Sequence, residues 1–431
     1  MPDLKLAPLL EATTLERMRP ALVPFFPTSV DAVEIESTRL QAPTCYWVIY
    51  SAAGRYVTFK SFFSQADFDR YRERIVEYYS EQIEQPYHPR GGVTFLPELN
   101  ALLWSFPFDP AMPRLYMSLD GEYVAGILGQ STKAPLRIQV VSYNPEIGAV
   151  FAYHAPPHDA VIAYGKVAPE DSSGLQYIIM ERLYRSPASQ RGELRLAKPL
   201  AFRADSGLLL QAPVSGTTLS SDRNRKSFLL LARHAASALA AIHRVDAPFG
   251  PIRTLDDMLL RVKEGQEEMA LTAPPLYDTL RLLIGQLESR ATRRPAGPLV
   301  PSHGDYKWDQ FLEHRGRFSL IDLELFCQAE AAFDLGYFCA YLPPTTPRDW
   351  RDSAAAEMLR GAFLDTYAER IGERIDMGRV ALYEAVSLAL RSFSYIWGHQ
   401  PGWYDQAATL LELALERLVS PEPMKQPPMP G

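Results

Sequence analysis

The order of apolar runs between residues 136 and 215 constrains this chain most. Three strand-like runs, LRIQVVSY, GAVFAYHA and VIAYGKVA, precede a single helical stretch over about 172–185. Two more runs follow, PLAFRA and GLLLQAPV, joined through Asp205-Ser206-Gly207. Apolar runs of this length, bounded by turn residues, read as strands. NPEI, just before Gly148, is short enough to be the turn between the first two. The reading is five strands with one helix between the third and the fourth. From 222 onward the period changes. Phe228, Leu231, Ala235, Leu239 and Ile242 share one helical face, and helices continue to the end except over 298–322.

Upstream, TCYWVIY and YVTFKSFF flank Gly54 and predict a hairpin. Ser64 followed by Asp67 reads as a helix-opening capping box, and Phe68, Tyr71, Ile75, Tyr79 and Ile83 then fall on one face. Residues 1–125 are therefore set apart as a small α/β module. With 431 residues, two or three domains are expected. Lys and Arg number 44 against 51 Asp and Glu, a net charge of −7, which argues against a dedicated nucleic-acid or anionic-membrane binder. Three cysteines without CxxC spacing read as a reduced, cytoplasmic protein without structural zinc. No run is long enough for a membrane helix and no signal peptide is visible. The oligomeric state is left open.

The chemistry concentrates in His303-Gly304-Asp305-Tyr306-Lys307-Trp308-Asp309-Gln310, then the hairpin QFLEHRGRFSLID, then Ile321-Asp322-Leu323-Glu324. Phosphoryl transfer needs one carboxylate to orient the acceptor hydroxyl. It needs a second carboxylate and another oxygen ligand to hold Mg²⁺, a hard ion, against the phosphates. Asp305 sits on a loop after a strand, Gln310 at the mouth of the next strand, and Asp322 at the end of the return strand. A hairpin turning at Arg315-Gly316 brings Gln310 and Asp322 near each other with Asp305 beside them. That is the arrangement H-x-D-x-x-x-x-N followed by a metal-binding Asp.

HGDYKWDQ with IDLE resembles the aminoglycoside phosphotransferase / choline kinase superfamily, whose signature is HGDxxxxN followed by a hydrophobic-D-x-E/D strand. Phe333-Asp334-Leu335-Gly336 looks like that family's D-L-A helix start, and Leu239–His243 like its LAxLH helix. The strand order over 136–215 is that of its nucleotide-binding lobe. The resemblance covers about 130–420 and implies an α+β, bilobal, protein-kinase-like fold. Residues 126–215 would form an antiparallel N-lobe and 216–431 a mainly helical C-lobe, with 1–125 as an accessory α/β domain. Gln310 departs from the usual Asn. It keeps the amide carbonyl but is one methylene longer.

The resemblance implies ATP and Mg²⁺, with Asp305 catalytic and Gln310, Asp322 and Glu324 at the metal. Lys166, on the third strand, is the candidate phosphate lysine, and Glu181 its helix partner. The stretch from Gln211 to Val214 would offer backbone groups to adenine. SYNPEIGAVFAY occupies the place of a nucleotide-covering loop. Neither a GxxxxGK[ST] nor a strand-following GxGxxG motif occurs, which removes P-loop and evident Rossmann sites.

Blander readings stand beside these. Asp305 alone would be a turn cap, Lys166 a snorkelling surface residue and Glu181 a solvated helix acid. Asp322, ending an apolar strand, needs a partner or a metal. His303 and Asp334 are expected to shape the loop rather than react. The function expected is transfer of the ATP γ-phosphate to a small-molecule hydroxyl, with a sugar-like acceptor favoured by the maltokinase-like extra N-terminal module. An aminoglycoside or choline-type acceptor is the alternative, and a nucleotide-binding pseudokinase the alternative of another class. A protein kinase ranks last, because no peptide-docking segment fits between Asp322 and Asp334.

Overall fold

The computed structural model describes residues 11–41, 44–82, 92–130, 135–157, 159–169, 172–219, 225–342, 354–398 and 402–419. The chain forms two compact units: residues 1–174 with 200–212, and residues 175–199 with 213–431.

The first unit opens with α1 (Leu15–Leu22), β1 (Glu34–Gln41), β2 (Cys45–Ala52) and β3 (Arg55–Phe62). Then come α2 (Gln65–Gln82), β4 (Val93–Leu96), β5 (Ala101–Ser105) and α3 (Gly121–Ile127). The five strands form one antiparallel sheet in the order β1-β2-β3-β5-β4. The expected hairpin is β2–β3, turning through Ala53 and Gly54, both at positive φ. The strand β1 adds to its edge and had no signal of its own. Both faces of β2 are covered. Trp47 packs with Phe68, Tyr71 and Ile75 of α2, while the Tyr50 hydroxyl donates to the Thr13 carbonyl at 2.7 Å.

The second sheet holds β6 (Arg137–Asn144), β7 (Gly148–Ala155), β8 (Ala160–Val167), β9 (Pro199–Arg203) and β10 (Leu208–Gln211). Its order is β6-β7-β8-β10-β9. All five expected strands are present, and α4 (Ser172–Tyr184) falls between the third and the fourth. Phe151, Tyr153, Ala163, Val167, Leu208 and Leu210 form its core with Leu115 and Val124.

Buried polar groups join the two sheets at the β6–β7 turn. Glu146, at φ +57°, turns its carboxylate inward to the Lys60 ammonium (2.5 Å) and the Tyr71 hydroxyl (2.5 Å). Lys60 lies over the faces of Trp47 and Tyr71, at 4.6 and 4.3 Å from their centroids. Asp109, fully buried, accepts from the Glu146 backbone N–H (2.8 Å) and the Tyr143 hydroxyl (2.9 Å). These partners satisfy groups that would otherwise be costly to bury.

The second unit is mainly helical. It contains most of α4, then α5 (Pro187–Gln190), β11 (Thr217–Thr218), α6 (Arg225–Ile242), α7 (Leu255–Thr272) and α8 (Pro274–Ala291). Next are β12 (Leu299–Ser302), β13 (Phe311–His314), β14 (Arg317–Leu320) and β15 (Cys327–Glu330). It ends with α9 (Ala331–Ala340), α10 (Ala354–Ile371), α11 (Met377–Gly398) and α12 (Trp403–Val419). The strands form two small sheets, β11-β13-β14 and β12-β15. One antiparallel-sheet unit and one mainly helical unit make the α+β architecture expected. No described helix is long and apolar enough to cross a membrane. Cys45, Cys327 and Cys339 are unbridged and buried, and the Cys45 sulfur accepts the Trp47 indole N–H at 3.0 Å.

Burial pushes the Asp109 carboxyl up to about 6, although the Glu146 and Ala111 N–H groups and the Tyr143 hydroxyl pull it down. A carboxyl that holds its proton more tightly folded than unfolded stabilises fully below its ordinary value. That contribution is lost as pH rises through the folded value. Asp109→Asn does not titrate there. Between pH 3.5 and 7 its stability relative to the native chain should therefore improve by roughly 2–3 kcal/mol. Urea unfolding at several pH values measures this, and a pH-independent difference would contradict it.

Candidate active site

Residues 303–324 are placed by two short sheets and one helix. β12 delivers the chain to His303 and is held by β15, with Ser302 opposite Cys327. Gly304 follows at φ +87°, and a Cβ there would lie 1.8 Å from the Leu325 carbonyl oxygen, so only glycine fits. The loop returns into β13, and β13 pairs with β14 through the tight turn Arg315-Gly316, both residues at positive φ. The hairpin is thus where the sequence puts it. β15 is an addition, since CQAE carries no strand pattern and is ordered by its pairing with β12.

The loop is braced from below. Asp334, on α9 with no exposure, accepts the His303 N–H through Oδ2 at 2.7 Å and the Gly304 N–H through Oδ1 at 3.1 Å. The buried His303 ring spans the loop. Its Nε2 lies 3.2 Å from the Ile321 carbonyl oxygen, and its Nδ1 accepts the Asp305 N–H at 3.3 Å. The Tyr306 hydroxyl donates to the Ala235 carbonyl of α6 at 2.6 Å. His303 and Asp334 therefore shape the loop, as the sequence suggests.

Three donors converge on the Asp305 carboxylate. Tyr337 of α9 gives its hydroxyl to Oδ1 at 2.6 Å. The Gln310 side-chain amide N–H donates to Oδ2 at 2.8 Å, and the Lys307 ammonium lies 3.1 Å from the same oxygen. The longer Gln310 side chain thus still reaches Asp305. The backbone N–H of Ile321 donates to the Gln310 carbonyl at 2.9 Å, so Asp322 follows directly on the residue paired to Gln310. Asp322 takes φ +64°, a left-handed conformation that Asp tolerates better than most residues. Glu324 lies in the following turn and is exposed.

The donor set suits a hard cation. Because the Gln310 amide nitrogen donates to Asp305, its oxygen is the end of that side chain that a cation could meet. Among the described residues, no three His, Cys, Asp or Glu side chains cluster as an all-protein metal site. Phosphate and water oxygens would have to complete any shell, which is the habit of Mg²⁺.

Electrostatics follow from burial. Burial pushes the Tyr337 phenol far up, with Tyr341 and Asp305 adding to it, so it remains a donor. Burial pulls the Lys307 ammonium down, but Asp305 and Asp309 outweigh it and the net shift is upward. Burial raises the Asp309 carboxyl despite Lys307. Arg391 and Lys307 both lie over the Tyr341 ring, at 4.9 and 5.6 Å from its centroid. Tyr337 stacks on Tyr341 at 4.7 Å.

The other candidates lie on their expected elements. Lys166 is on β8, between Val150 of β7 and Leu209 of β10. Gln211 ends β10 opposite Tyr164, and Val214 is half-buried in the extended stretch that follows. Glu181 of α4 forms an ion pair with Arg185 one turn on, at 2.6 Å. Sequence reasoning missed Lys307 and Tyr337. Lys307 carried a signal in its position two residues after Asp305. Tyr337, three residues after Asp334, is brought to Asp305 only by the placement of α9.

The phosphotransferase enzyme family has a sequence profile that matches residues 166–382. A protein from Ralstonia eutropha, described as a candidate aminoglycoside phosphotransferase, is similar in structure. It shows 17% identity and a TM-score of 0.50 over 72% of this chain and 98% of that one. A choline/ethanolamine kinase family protein from Mesorhizobium loti shows 18% identity and a TM-score of 0.46, over 66% and 90%. A thermostable mutant of aminoglycoside phosphotransferase APH(4)-Ia, in ternary complex with ADP and hygromycin B, shows 13% identity and a TM-score of 0.49, over 70% and 99%. No curated protein matches the sequence.

Asp334→Ala leaves two buried N–H groups without their charged acceptor. It should cost about 2–4 kcal/mol of stability. It should also speed hydrogen exchange at His303 and Gly304 well beyond the rest of the second unit. Unchanged exchange at those two amides would remove the bracing role.

Proposed function

Since the chain belongs to the phosphotransferase enzyme family, we propose that it transfers the γ-phosphate of ATP to a hydroxyl of a small molecule. The observation that carries this reading is the convergence of Tyr337, Gln310 and Lys307 on Asp305, one hairpin away from Asp322.

Asp305 takes the acceptor hydroxyl as its hydrogen-bond partner and points the oxygen at the phosphorus. Its own orientation is set beforehand by two neutral donors and an ammonium. That spends the positional entropy before the reaction rather than during it. Lys307 is placed to meet negative charge as the phosphoryl group moves. Asp322 and the Gln310 amide oxygen would hold Mg²⁺, which supplies charge neutralisation on the phosphates when bound. Glu324 would act beyond them, at the metal's outer shell or at the acceptor. Lys166 would anchor the phosphates, while Glu181, the helix carboxylate expected beside it, is held by Arg185. The stretch Gln211–Val214 would offer backbone groups to adenine. The β6–β7 hairpin would cover the nucleotide, with its tip held by Lys60, Tyr71 and Asp109.

For the acceptor we favour a sugar or sugar-like polyol. What supports this acceptor class is the extra N-terminal module, an arrangement that resembles maltokinase-like sugar kinases.

A phosphate-transfer screen over sugars, amino sugars, aminoglycosides and choline tests the acceptor class. Nucleotide binding with no transfer to any of them would favour a non-catalytic nucleotide-binding module. Asp305→Asn should lower turnover on the active acceptor about 10²- to 10⁴-fold with nucleotide affinity nearly unchanged. Equal loss of both would assign Asp305 a structural role. Asp322→Ala should remove the Mg²⁺-dependent part of ATP binding in calorimetry, and retention of that part would refute the metal assignment.

A further inference from the structure

A hollow of about 800 Å³ opens in the second unit between α4, α5, the end of α6 and Arg370 of α10. Its floor is made of small side chains, the buried Ala188, Ala240 and Ala241. Its walls carry five guanidinium groups, from Arg182, Arg185, Arg191, Arg244 and Arg370, against two lining carboxylates, Glu193 and Asp246. Both carboxylates are taken: Glu193 by Arg191 at 2.7 Å and Asp246 by Arg182 at 2.5 Å. Arg185 is matched by Glu181, which does not line the hollow. Arg244 donates to the Ile371 carbonyl at 2.8 Å, and it and Arg370 act on the already paired Glu193 from farther off, without a direct ion pair of their own among the described residues.

This surplus of positive charge is local, because the chain as a whole carries −7. The hollow is distinct from the Asp305 site. His234, Ser237 and Ala241 present one face of α6 to it, whereas Ala235, on another face, bonds Tyr306 of the catalytic loop. None of residues 303–324 lines it.

We propose that this hollow is a second binding site, for a small molecule bearing two or more phosphate groups. Guanidinium forks match phosphate oxygens in paired hydrogen bonds. The volume is that of a small-molecule pocket, and its concave shape excludes a flat lipid surface. Phosphorylated sugars and nucleotides share this chemistry, so the probes must separate them.

The test titrates inorganic tripolyphosphate into the full chain by calorimetry without Mg²⁺, then a sugar bisphosphate, ADP and a short single-stranded oligonucleotide. Tripolyphosphate should bind, with affinity falling as salt rises. Hydrogen exchange should slow over 182–193 and 237–246 but not over 303–324. Arg370→Glu, an exposed position without an ion pair, should weaken binding at least tenfold, as should Arg191→Gln, and thermal melting checks that each variant is folded. Tighter binding of the sugar bisphosphate names a sugar phosphate as the source, and tighter binding of ADP names a nucleotide only where its protection falls on 182–193 and 237–246. No tripolyphosphate binding, protection confined to 303–324, unchanged affinity in both folded variants, or an oligonucleotide binding more tightly than every small phosphate would each overturn the proposal.

Discussion

Asp334 is fully buried and spends both carboxylate oxygens on consecutive backbone N–H groups, those of His303 and Gly304. The remaining geometry of the second unit's site hangs on that contact. It fixes where the loop leaves β12, and Gly304 can take the required path only because it has no Cβ to strike the Leu325 carbonyl. Asp334 and Tyr337 stand three residues apart on α9, so the helix that braces the loop also supplies a donor to Asp305. The bracing carboxylate and the hydroxyl that meets Asp305 therefore sit on one helix.

The helix is itself anchored. Glu330, at its N-terminal boundary, is buried between Arg379 and Tyr383 of α11 and also accepts the Gly297 N–H at 2.8 Å. Further along α11, the fully buried Glu384 meets Arg360 of α10 and Arg417 of α12. Buried ions this well paired do little for net stability compared with apolar packing, but removing one partner would leave a buried charge uncompensated, at about 3–5 kcal/mol. In the first unit the same principle operates on the β6–β7 turn. Glu146 exchanges water for Lys60, Tyr71 and an Asp109-bound N–H, which holds a tight turn that would otherwise move freely.

Sequence and structure agree most closely where the information is local. The turns at Gly54, Gly207 and Arg315-Gly316 announce themselves, because few residues accept positive φ. The five strands around α4 and the apolar face of α6 were legible from periodicity, as was the spacing from Asp305 through Gln310 to Asp322. The strands β1, β11 and β15 were not. Each is short or polar, and each becomes a strand through its neighbour's unpaired backbone groups rather than its own side chains.

The amino-acid order by itself determined most element types, the family resemblance and the motif that holds Asp305, Gln310 and Asp322, since each is written within a window of some twenty residues. Tertiary structure alone decided that Tyr337 and Lys307 would share Asp305 with Gln310. It also decided that Lys60 would meet Glu146 across 86 positions of chain, and that arginines from 182 to 370 would ring one hollow. Periodicity and turn stereochemistry act between near neighbours along the chain. Ion pairs and cavities arise only after distant segments are packed together, and no local pattern records which segments those will be.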